Sequence, residues 1–232
     1  TTGASKNLAG MDTGSYETTM TFDQTYGIMT AQVTNGVSLS YDKEGAQYRS
    51  GKYTTTAITI DGYGTVKESQ TLGVSGRDIN GANEKILGTY TTNSTFGDDG
   101  QQLTGLTTGA SKNLAGMDTG SYETNMTFDQ IYGIMTAQVT SGVSLSYDKE
   151  GTQYKSGRYV TTALTIDGYG TVKTSQTIGV SGRGINGTNE KILGTYTTNS
   201  TFGDDGQQLT GITIGASKNL AGMDTGSYET NM

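Results

Sequence analysis

Thr1-Thr2-Gly3-Ala4-Ser5-Lys6-Asn7-Leu8 returns as Thr107-Thr108-Gly109-Ala110-Ser111-Lys112-Asn113-Leu114, and again, with one change, from Thr213 to Leu220. The offset is 106 residues each time, with no insertion. Between 1–106 and 107–212 only 13 positions differ. A chain this periodic must fold into something whose modularity matches its period. A unit of 106 residues is too long for one solenoid rung, which spans roughly 20–50 residues, and it suits one small domain. No shorter persistent period is evident, and the Gly-Gly-x-Gly-x-Asp calcium nonapeptide is absent. The repeat therefore predicts tandem domains over 1–106 and 107–212. Residues 213–232 open a third copy and are expected to complete the second by strand addition. Both ends fall inside the pattern, so the chain reads as an excerpt from a longer array.

The residue types point to strands. Threonine (43 residues), tyrosine, valine and isoleucine favour extended backbone, and the 36 glycines mark turns. Val33, Val37, Leu39 and Tyr41 share one parity, and Leu72 and Val74 alternate with Thr71 and Gly73. Asn35-Gly36, Glu44-Gly45, Asp61-Gly62, Asn80-Gly81 and Asp99-Gly100 read as turns between these runs. About seven strands per unit follow, near 15–24, 26–34, 37–43, 47–60, 64–75, 84–96 and 102–107, with a helical turn only at Ser5–Met11. The expected fold is all-β: tandem antiparallel β-sandwich domains, Ig-like or related, one per repeat, each with a small core between two sheets. Differences between the copies fit this reading. Ile58 to Leu164, Leu72 to Ile178 and Leu106 to Ile212 conserve volume. Glu68 to Thr174 and Asp78 to Gly184 discard acids, so neither is essential.

Composition narrows the chemistry. The chain has no Cys, Pro, His or Trp. Disulfides, thiolate or imidazole metal sites, a Cys nucleophile and a Ser-His-Asp triad are thereby excluded. The net charge of −7 makes nucleic acid and anionic lipid poor partners. No apolar run approaches the roughly 20 residues of a membrane-spanning helix, so no membrane insertion is expected in this segment. The chain is expected not to be an enzyme and to need no cofactor, with calcium as the one candidate ion.

The acidic turns around Asp42, Asp61 and Asp98-Asp99 offer carboxylates suited to calcium. Asp98, Asp99, Asp204 and Asp205 are the candidate ligands because both copies keep them; plain turn chemistry accounts for the same residues. The 15 tyrosines are expected on half-buried strand surface, where exposed rings can stack on sugars. Lys85, Asn93 and Glu84 are the residue types of an isopeptide bond but lie close in sequence. Asn93-Ser94-Thr95, Asn125-Met126-Thr127, Asn186-Gly187-Thr188 and Asn199-Ser200-Thr201 fit the N-glycosylation pattern.

In its Cys-poor, Thr/Gly-rich tandem repeats the chain resembles, at the level of a class, large repetitive bacterial surface proteins such as repeat adhesins and fibre-forming proteins. The expected function is structural or adhesive: an extracellular or cell-surface stalk or self-assembling filament whose partners are other copies of itself, joined end to end or by strand exchange. The alternative is a multivalent module that binds a surface glycan or receptor.

Overall fold

The computed structural model describes every residue except Leu8. Fourteen strands follow in chain order: β1 (Thr2–Lys6), β2 (Asp12–Phe22), β3 (Met29–Tyr41), β4 (Gln47–Ile60), β5 (Val66–Arg77), β6 (Lys85–Phe96), β7 (Gln102–Lys112), β8 (Asp118–Phe128), β9 (Met135–Tyr147), β10 (Gln153–Ile166), β11 (Val172–Arg183), β12 (Lys191–Phe202), β13 (Gln208–Lys218) and β14 (Asp224–Asn231). Among the described residues there is no helix. The chain divides into two compact units, Thr1–Asp118 and Thr119–Met232. In each, every strand pairs antiparallel with its neighbour in sequence, giving an open, single-layer meander.

Two expectations about local structure change. The period holds six strands, not seven, because Asn35-Gly36 is no turn: it sits in the middle of β3 and pairs on both sides. Ser5 lies in β1 rather than capping a helical turn, and Asn7 Oδ1 accepts the amides of Ala9 and Met11. Leu8, inside that expected turn, is outside the described residues.

The structure also replaces the expected sandwich with a single layer. The reason lies in how the central rows are filled. In the first unit one row crosses the strands as Gly3, Tyr16, Gly36, Tyr53, Gly73, Tyr90 and Gly109. In the second it runs Tyr122, Gly142, Tyr159, Gly179, Tyr196, Gly215 and Tyr228. The rings of Tyr16, Tyr53, Tyr90, Tyr159, Tyr196 and Tyr228 each lie over the glycine of the preceding strand: a Cβ on Gly36 would stand 2.2 Å from Tyr53, and one on Gly73 2.1 Å from Tyr90. Flanking rows on this face alternate Ser with Gly and pair Thr with Thr. The Thr18–Thr34, Thr55–Thr71 and Thr92–Thr107 hydroxyls hydrogen-bond at 2.8, 2.7 and 2.8 Å. Apolar contact is thus made within the layer, between neighbouring strands, where each cross-strand pair contributes about 0.2–1 kcal/mol. Packing against a second sheet is not what covers these rings.

The rows expose a period inside the 106-residue repeat. Tyr16, Tyr53 and Tyr90 are 37 residues apart, as are Tyr122, Tyr159 and Tyr196. Even-numbered strands carry Gly-x-Tyr-x-Thr, as in Gly51-Lys52-Tyr53-Thr54-Thr55. Most odd-numbered strands carry Thr-x-Gly-x-Ser, as in Thr71-Leu72-Gly73-Val74-Ser75. The modular unit is therefore a two-stranded hairpin. Position 107 falls inside β7, and 213–217 of β13 pair with β12 as 107–111 of β7 pair with β6.

Seven of the hairpin turns share one design. Asp61 Oδ1 accepts the amides of Tyr63 and Thr65, at 2.9 Å each, and Gly64 adopts φ +86°. Asp42, Asp148 and Asp167, with Asn7, Asn113 and Asn219, do the same in their own turns. This is a three-residue loop with a left-handed glycine, longer than the two-residue turn the Asp-Gly pairs imply. Ladder registers slip at several strand ends, for example between Ser38 and Leu39 and between Ser75 and Gly76. Such bulges increase local twist and bend the sheet.

Candidate functional site

The two faces of each unit differ. The tyrosine face is internally satisfied: its Gly, Tyr, Ser and Thr fit one another across strands. The opposite face carries the variable side chains. None of the differences between 1–106 and 107–212 falls in the Tyr/Gly row or its flanking Ser/Gly and Thr/Thr rows, whereas Thr19 to Asn125, Asn35 to Ser141, Lys52 to Arg158, Thr54 to Val160, Leu72 to Ile178 and Leu106 to Ile212 lie on the opposite face. A glycine under a ring cannot change without moving the ring, whereas Leu72, 54% exposed, can.

On this variable face of the first unit the sheet forms a trough of about 1260 Å³. Its floor is the backbone of the Tyr/Gly row. One wall includes Val37, Lys52 and Val74; the other includes Glu17, Asn35, Thr54 and Leu72. Thr54 Oγ1 donates to Asn35 Oδ1 at 2.7 Å. The loop 78–84, between β5 and β6, folds over one side. Ile79, 1% exposed, anchors it: its amide donates to the Arg49 carbonyl, and its side chain reaches Gly76. Lys52 Nζ donates to Asn80 Oδ1 at 2.6 Å. In the second unit Ile185, also 1% exposed, donates to the Lys155 carbonyl, and Arg158 contacts Asn186 and Glu190. Ile79 and Ile185 are the only fully buried apolar side chains among the described residues. The sequence flagged neither, because each stands alone in a polar loop.

The candidate calcium ligands lie on the turns joining β6 to β7 and β12 to β13. Asp98 Oδ1 meets Lys67 Nζ at 2.5 Å, and Asp204 Oδ1 meets Lys173 Nζ at 2.5 Å. Lys67 also stands 3.9 Å from Asp61 Oδ2. The Asp99 amide donates to Gln101 Oε1, and Asp205 Oδ1 accepts the Gln207 amide. Among the described residues no three acids, His or Cys are grouped to hold a metal ion. Carboxylates of other turns accept backbone amides. Amide donors, Thr65 first, hold Asp61 below the usual carboxylate range, and Tyr132 leads the donors that do the same for Asp129. Burial raises Tyr159 and Tyr196, with neighbouring tyrosines adding to the effect.

Lys85 and Asn93 sit eight positions apart on β6. At about 3.4 Å per residue they are about 27 Å distant, which excludes a bond between them. Asn93 Oδ1 accepts Gln70 Nε2 at 3.0 Å.

Comparison with protein-family models and with curated proteins finds no match for this chain. The fold itself defines a class: a hairpin-repeat protein of single-layer antiparallel sheet.

Proposed function

We propose that this is a non-catalytic, structural or adhesive repeat protein of the cell exterior, whose hairpins extend a stalk or a self-assembling filament. The observation that supports this is the recurrence of the same three rows in hairpin after hairpin. Adding a hairpin repeats the Tyr-over-Gly fit and the Thr–Thr bonds without a new solution for register. Length can therefore grow without redesign, as in other arrays dominated by nearest-neighbour contacts. The same rows offer a matching surface to a second copy, by strand exchange or end to end. Electron microscopy of the native material tests the reading. Fibres or stalks with a regular axial repeat are expected; dispersed globular particles at all concentrations would overturn it.

A second reading rests on the trough. Its hydroxyl, amide and aliphatic lining and its single lysine and glutamate suit an uncharged glycan or an extended receptor segment, presented repeatedly along the array. A glycan array probed with the 232-residue protein discriminates. Retained glycans that are lost on Leu72→Glu support binding, and a blank array removes the glycan from this reading.

A further inference from the structure

The chain contains three Asn-Gly pairs: Asn35-Gly36, Asn80-Gly81 and Asn186-Gly187. Glycine has no side chain to shield its nitrogen, so that nitrogen can reach the preceding side-chain amide when the backbone is free to turn. The fold places the three pairs in two different settings. Asn80 and Asn186 are exposed, in the loops after β5 and β11, with left-handed φ of 62° and 61°. The attacking nitrogens, of Gly81 and Gly187, each donate one turn hydrogen bond, to Asp78 and Gly184. Asn35 is held inside β3, with Gly36 paired to Tyr16 and Tyr53 and covered by the Tyr53 ring. Its side-chain oxygen is engaged by Thr54.

We propose that Asn80 and Asn186 are sites of spontaneous deamidation in the folded protein, and that Asn35 is protected. Gly81 N loses its proton to solvent base and attacks Asn80 Cγ. The new N–Cγ bond closes a succinimide, the Cγ–Nδ2 bond breaks, and ammonia leaves. Water then opens the ring at either carbonyl, giving aspartate or isoaspartate. Gly187 and Asn186 follow the same course. Lys52, donating to Asn80 Oδ1, draws electron density from the attacked carbon, and it then faces the carboxylate that forms. Each event adds one negative charge, at Asn80 on the edge of the trough and at Asn186 beside Arg158. Reaction at Asn35 requires β3 to detach from both neighbours, an opening that loops do not need.

Peptide mapping tests this on the intact chain. Native and denatured protein are incubated at mildly alkaline pH and digested with trypsin. The pairs separate into fragments 78–85, 184–191 and 7–43. In native protein, conversion of amide to acid is expected at Asn80 and Asn186, at least about tenfold faster than at Asn35. Asn83, followed by Glu84 whose side chain shields the nitrogen, stays unchanged. In denaturant Asn35 catches up. Equal native rates at Asn35 and Asn80 overturn the proposal. So does an unmodified 78–85 fragment that converts only in denaturant, or a Lys52–Asn80 cross-link formed with loss of ammonia in place of an acid.

Discussion

At the residue scale, glycine carries two separate duties. Gly73 lies under the Tyr90 ring, and a Cβ there would stand 2.1 Å from it; Gly62, in a turn, would meet nothing within 4 Å. Gly73→Ala is expected to cost about 1–3 kcal/mol through forced ring displacement. Gly62→Ala should be neutral or stabilise by up to about 1 kcal/mol, because it restrains the unfolded chain. Chemical denaturation of both variants checks the contrast, and equal effects would refute the ring-over-glycine account. Ile79→Ala should cost about 2–4 kcal/mol, since the side chain is fully buried. Proteolysis within 78–84 should increase with it. The sequence shows both glycines but not which is which: the distinction depends on a tyrosine 17 positions away in the chain.

At the element scale, the turns are held by carboxylates accepting backbone amides. Asp23, Asp61, Asp129 and Asp167 titrate below the ordinary range for this reason. A depressed folded-state pKa contributes stability above the unfolded value, near pH 4, and that stability is lost as pH falls through the folded value. Melting temperature should therefore drop between about pH 4 and lower pH. Asp61→Asn should flatten that acid limb while keeping the turn, because Asn7, Asn113 and Asn219 do the same work elsewhere. A variant that melts on acidification as the parent does would contradict this. The alkaline limb has the opposite sign: Tyr159 and Tyr196, raised by burial, contribute stability that fades as pH rises through their folded values. Calcium is expected to leave the melting temperature unchanged, because Lys67 and Lys173 already engage Asp98 and Asp204. An increase on titration would show that the ion displaces them.

At the scale of the whole molecule, the hairpin period makes deletion the decisive test. Removing 53–89 joins Lys52 to Tyr90 and preserves Gly-x-Tyr-x-Thr across the junction. The shortened chain is expected to fold with the same strand signature per residue and a modestly lower melting temperature, as nearest-neighbour arrays do. Loss of all cooperative unfolding would show that the 106-residue unit is indivisible. The sequence by itself determined the repeat, the all-β class, most strand limits and the absence of histidine and cysteine chemistry, because period, propensity and composition are local properties. It left the hairpin period hidden, since turns of unequal length blur it and only two short patterns survive. The choice between one layer and two belonged to the tertiary structure alone. Val37, Leu72 and Val74 alternate as a core face would, yet the sheet leaves them on the open side, while tyrosines find their cover on glycines of the adjacent strand. Alternation states which side chains share a face; only the pairing of distant strands decides what that face meets.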